Sequence, residues 1–144
     1  IHSSRRRFAA RLNSGVRLRM KLSSLANLLS GDLAASNYSA EIADELATHV
    51  HALGKGGSAP VAVTEDADLL LDQAGLATLC RLFAAGQLTA HELAYTADAL
   101  QLADRVDFAD PDIADLLSEC TDPEINGPLS RSRALEIADH GSAA

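Results

Sequence analysis

Leu22, Leu25, Leu28 and Leu29 recur three and four positions apart between Met20 and Gly31. That spacing lays four leucines on one helical face, with the glycine as a stop. The stretch DLAASNYS that follows is a polar break. A second helix then starts with Ser39 as its N-cap and carries Glu41, Asp44 and Glu45 in its first turns, where acids complement the helix dipole. Its apolar face is Ile42, Leu46, Val50 and Leu53, and it ends at Gly54. GKGGSAP is the strongest loop signal in the chain. Beyond it Val61 and Val63 alternate across Ala62, and Leu69, Leu70 and Leu71 follow the acidic turn TEDAD. Two short strands in a hairpin near residues 61–71, lying on the helices, fit this pattern. A helix starting at Thr64 is the competing reading.

The periodicity returns at QAGLATLCRLFAAG, with Leu76, Leu79, Cys80 and Phe83 inward and Gly86 closing the helix. Thr89 and Glu92 form a capping-box pattern that opens the longest helix. One edge of that helix carries Leu93, Ala97, Leu100 and Asp104, and a second Tyr95, Leu102 and Val106. Gln87 and Leu88 alone join the two helices, which predicts antiparallel neighbours. Asp110 then caps a helix with Pro111 at its first position, where a missing N–H costs nothing. Ile113, Leu116, Leu117 and Cys120 point inward. TDPEINGPLS is a rigid turn, and a last helix runs from Ser130 with Leu135 and Ile137 as anchors. No repeat with a period of about 20–50 residues is visible. The expected fold is therefore all-α, a compact bundle of about six helices with one short hairpin as its β content.

Composition supports this reading and charge refines it. The 144 residues are 47% hydrophobic but only 3% aromatic, so the core is built from Leu, Ala, Val and Ile, which favours helix. Residues 1–19 hold six arginines and no acid. Residues 20–144 hold six bases and 20 acids, a net of −14. The break at Met20 marks residues 1–19 as a basic leader, expected to be disordered and read as vector or upstream sequence. An organelle presequence and a nucleic-acid arm are the alternatives. Residues 20–144 read as one acidic domain. Its charge repels phosphate, so nucleic acid is not an expected partner. No apolar stretch long enough to span a bilayer occurs, so no membrane partner is expected. Cys80 and Cys120 are expected as buried free thiols in a reducing cytoplasm.

Motifs for chemistry are sparse. Gly54, Gly56 and Gly57 lack the Lys-Ser/Thr ending of a phosphate loop. His49 and His51 stand two apart, so a helix points them to different sides. Neither acid cluster has the alternating ligands, central glycine and terminal glutamate of a calcium loop. No serine sits in a nucleophile elbow. No catalytic residue, cofactor or metal site is predicted. The remaining candidates are the acids of EDADLLLD (Glu65, Asp66, Asp68, Asp72) and of DRVDFADPDIAD (Asp104, Asp107, Asp110, Asp112, Asp115). They read either as a solvated rim with helix caps or as a face for a basic protein.

LATLCRLFAAGQLTAHELAYTADAL, residues 76–100, resembles small bacterial immunity proteins of the colicin type. A helix ends in Phe-x-x-Gly, and LTAHEL starts the next with a threonine cap and an acid. The resemblance implies an acidic helical bundle that binds and neutralises a toxin. Glu92, Tyr95 and Asp98 lie on or near the resembling helix. The expected function is thus non-catalytic binding of another, basic protein. The expected contact residues are Glu65, Asp66, Asp68, Glu92, Tyr95, Asp98, Asp107, Asp110 and Asp112. A small enzyme working through carboxylates or His91, and a homodimeric or larger structural protein, are the alternatives.

Overall fold

A computed structural model describes residues 20–54, 61, 63–121 and 129–140. The readings made for the leader (1–19), the glycine-rich loop (55–60) and most of the turn between the last two prolines (122–128) fall outside the described residues. The fold is mostly helical. In chain order the elements are β1 (Met20–Lys21), α1 (Leu22–Ser30), α2 (Ala35–Gly54), β2 (Val63–Thr64) and β3 (Leu69–Leu71). There follow α3 (Gln73–Ala84), α4 (Ala90–Leu102), β4 (Val106–Phe108), α5 (Pro111–Ser118) and α6 (Arg131–Ala138).

Strands do fall within residues 61–71, but each pairs with a distant segment rather than with the other. β1 runs parallel to β2, with Met20 opposite Val63, and β3 runs parallel to β4, with Leu70 opposite Asp107. A tight turn joins only antiparallel strands; a parallel pair requires a crossover connection. Here each crossover is a pair of helices, α1 with α2 and α3 with α4.

The chain therefore contains two β-α-α-β units built on the same plan. Their hinges match bond for bond. Gly31 and Gly86 both adopt left-handed backbone, at φ 89° and 80°, a region glycine enters without a Cβ penalty. Gly31 N–H donates to Leu28 O as Gly86 N–H does to Phe83 O. Asp32 and Leu33 N–H both donate to Asn27 O, as Gln87 and Leu88 N–H do to Leu82 O. GDLAA and GQLTA are the corresponding sequences, each placing an alanine at the first position of the next helix.

Most helix ends follow the expected chemistry. Thr89 and Glu92 form both halves of the capping box, Asp110 caps α5 with Pro111 at its start, and Ser130 Oγ accepts from Arg133 N–H (3.0 Å). Asp72 caps α3 through Gly75 N–H (2.9 Å). α2, however, starts at Ala35, not Ser39. Ala35, Tyr38 and Ile42 form its buried stripe at helical spacing, because the Tyr38 ring packs as an apolar group while its hydroxyl finds a partner.

α4 is buried on several sides. It touches α2, α3 and α5, and Leu93, Ala94, Tyr95, Thr96, Ala97, Ala99 and Leu100 are all buried. Small residues on several sides let its neighbours approach closely. Two expected core positions lie outside: Leu102 is 64% and Leu135 43% exposed. On α6 the buried positions are Ala134, Ile137 and Ala138, so alanines take the place expected of Leu135. α3 makes its most extensive helix contact with α6. Gln73 Nε2 donates to the last carbonyls of α6, Ile137 O (3.0 Å) and Ala138 O (3.2 Å).

Candidate functional site

The acids singled out from the sequence divide into two populations. Those of the β2–β3 linker act inside the fold. α1 has no side-chain cap of its own; Asp66 supplies one from the linker, accepting from Ser23 N–H (2.9 Å) and Ser23 Oγ–H (2.6 Å). These Ser23 hydrogen bonds hold the Asp66 carboxyl below its usual pKa. Arg105, between α4 and β4, closes the other side. Its Nε donates to Asp68 Oδ1 (2.8 Å), its backbone N–H to Glu65 Oε1 (2.7 Å) and its Nη1 to Glu65 O (2.9 Å). The hydrogen bond and charge of Arg105 lower the Asp68 pKa. The linker is thus a splint: Asp66 grips the first β-α-α-β unit, Glu65 and Asp68 the second.

The second population lies along residues 104–115. Asp110 caps α5, accepting from Asp112 N–H (3.0 Å). Asp104, Asp107, Asp112 and Asp115 are exposed, and none pairs with a cation among the described residues. Two arginines elsewhere pair with other acids: Arg81 with Asp139 (3.2 Å), and Arg133 with Glu119 (2.7 Å) and Glu136 (3.1 Å). Asp112 and Asp115 stand three apart on one face of α5. Beside Asp107, directly opposite in the ladder, stands Leu70, 62% exposed. The acidic stretch therefore has an apolar neighbour.

Glu92 and Tyr95 are engaged within the fold. Glu92 Oε1 accepts from Thr89 N–H (2.8 Å) in the capping box. Tyr95 is buried and its hydroxyl donates to Glu45 Oε2 on α2. Asp98 is half-buried. Tyr95 belongs instead to a polar seam between α2 and α4. Within it the Tyr38 and Thr96 hydroxyls lie 2.6 Å apart, both fully buried. The His49 ring meets the Tyr95 ring edge-on at 5.0 Å, while His51 is exposed. Burial, above all, raises the Tyr38 pKa, so it stays a neutral phenol. Glu45 and His49 escaped the sequence reading as seam members; the available signal was their helical spacing from Tyr38. His91 is half-buried in the first turn of α4.

Cys80 and Cys120 are both buried free thiols. The neighbouring thiol lowers the Cys80 pKa and raises that of Cys120, which burial raises further. Among the described residues no group of three or more His, Cys, Asp or Glu side chains could hold a metal ion, and no helix is long and apolar enough to cross a membrane. No protein-family model, curated protein or solved structure matches the chain.

Proposed function

We propose that this protein is a non-catalytic binding domain that docks a basic protein in the bacterial cytoplasm, in the manner of an immunity or inhibitor protein. The docking surface is the exposed stretch Asp104, Asp107, Asp112 and Asp115, with Leu70 as its apolar contact. One observation supports it above the rest: these four aspartates have no cationic partner among the described residues, whereas Asp68 pairs with Arg105, and Asp66 and Glu65 accept from Ser23 and the Arg105 backbone N–H. Like charges gathered without compensation destabilise a compact chain slightly and attract a complementary surface. An exposed leucine beside them supplies the apolar contact that anchors such interfaces. Of the nine contact residues expected from the sequence, Asp107 and Asp112 belong to this surface.

The test is capture of partners by the full chain, alongside a variant with Asp104, Asp107, Asp112 and Asp115 all changed to Asn. The expected result is a basic protein held by the wild type at low ionic strength, with affinity falling about tenfold or more towards 0.5 M salt as charges are screened. The variant, equally folded, fails to hold it. A partner bound equally by both chains, or at any salt concentration, overturns the proposal.

A further inference from the structure

Parallel strands bond through alternate residues. Leu69 N–H donates to Arg105 O (3.0 Å) and Ala109 N–H to Leu71 O (2.9 Å), so Leu69 and Leu71 turn their backbone groups towards β4. The N–H and C=O of Leu70 point the other way, along the outer edge of β3, and among the described residues nothing pairs with them. The outer edge of β4 belongs to Val106 and Phe108. Val106 is 7% exposed and Leu70 62%, so β3 carries the open edge of this sheet. Alternation sets Asp68 and Asp72 on the same face as Leu70, with Asp107 beside it in the ladder. Asp68 and Asp72 each engage one oxygen within the fold, Oδ1 on Arg105 and on Gly75 N–H, and are otherwise exposed. A second copy of the chain fits this edge poorly. Two β3 strands paired antiparallel about Leu70 would bring each Asp68 opposite Asp72 of the other copy, and like charges directly opposite are destabilising. Bases in those positions turn the same contacts favourable.

We propose that the outer edge of β3 is a strand-addition site. The basic partner contributes an extended segment that lies along β3 as a third strand. An apolar residue of the segment stands opposite Leu70, and a lysine or arginine two positions to either side stands opposite Asp68 and Asp72. Backbone hydrogen bonds at Leu70 hold the segment, and the flanking charges select it. The same charges keep the edge from pairing with its own kind, a common safeguard of exposed strands. This site rests on the reading of the neighbouring aspartates as a docking surface, and adds the conformation and side-chain pattern of what docks there.

Amide spectra of the isotope-labelled full chain, titrated with synthetic peptides, test the site. The probe is a blocked threonine peptide with valine at its centre and a lysine two positions to either side; a version with glutamate for lysine controls for charge. The expected result is saturable binding of the lysine peptide at millimolar concentration or below, with shifts centred on residues 68–72 and slowed amide exchange at Leu70. The glutamate peptide does not bind. A strand joins an edge through one side only, so of two lysine peptides N-methylated at alternate residues, one loses binding and the other keeps it. Leu70→Lys, a change at an exposed position, weakens the lysine peptide about tenfold or more by setting like charges together. Equal binding of both methylated peptides overturns strand addition, and leaves the docking surface standing where Asp104, Asp107, Asp112 and Asp115 still govern that binding. Absence of shifts at residues 68–72, binding of the glutamate peptide, or slowed exchange at Leu70 through self-association without peptide overturns it as well.

Discussion

Asp66 shows how one side chain takes its role from a distant part of the fold. In sequence it is one of several acids in a turn; in the fold it is the missing N-cap of α1, contributed across 43 positions. Replacing it with Ala should cost about 1 kcal/mol, the usual value of an N-cap, measured by denaturant unfolding. Its lowered folded pKa fixes the sign of its pH dependence. The stabilisation is fully present above the unfolded carboxylate value near 4 and is lost as pH falls through the folded value. Wild type should therefore lose stability on acidification below about pH 4 more steeply than Asp66→Asn. Tyr38 and Thr96 give a second test at this scale. Tyr38→Phe leaves Thr96 Oγ1 without this partner in the core, which should cost about 1–3 kcal/mol. Adding Thr96→Val removes the orphaned group, so the double variant should be less destabilised than the two single effects combined.

At the scale of elements, apolar spacing and caps were legible wherever the cue was local. The α4 capping box, Pro111 at the start of α5 and the glycine stops all lie within a few residues of the ends they define. The early start of α2 was hidden because Tyr38 counts as polar by type, yet buries its ring and satisfies its hydroxyl through Thr96 on another helix. The strand partners were hidden for a related reason: parallel pairing joins segments some forty positions apart, and no short-range pattern encodes it. Alternation did carry one unused signal. Three consecutive leucines in a strand cannot all face one side, so Leu70 had to point away from a core that takes Leu69 and Leu71. The matching hinges make a direct prediction. Gly31→Ala and Gly86→Ala should each destabilise by about 1–2 kcal/mol, the cost of a left-handed residue with a Cβ, and by similar amounts. A Cβ meets nothing within 4 Å at either site, so backbone conformation alone sets the loss. Chemical denaturation of the two variants checks both the size and the equality.

For the whole molecule, the acid count predicted a negative coat but could not say which acids are committed within the fold. That division depends on Arg105, Ser23 and the caps, which reach their acids only after the two β-α-α-β units dock. Arg105→Ala should release the Asp68 carboxylate and the Glu65 carbonyl, while keeping the backbone N–H that Glu65 Oε1 accepts, and speed amide exchange at residues 65–69 and 105–108 relative to the α4 interior. The exposed aspartates answer differently, because their removal lessens self-repulsion and breaks no contact.

The most direct measurement compares thermal melting of two multiple variants of the full chain, Glu65→Gln/Asp66→Asn/Asp68→Asn and Asp104→Asn/Asp107→Asn/Asp112→Asn/Asp115→Asn. The linker variant should melt lower by about 3 °C or more, as expected from the loss of roughly one kcal/mol in a domain of this size. The second should melt at the wild-type temperature or slightly above it. A linker variant as stable as wild type, or a second variant destabilised to the same degree, would contradict the division between acids that hold the fold together and acids that the fold leaves exposed.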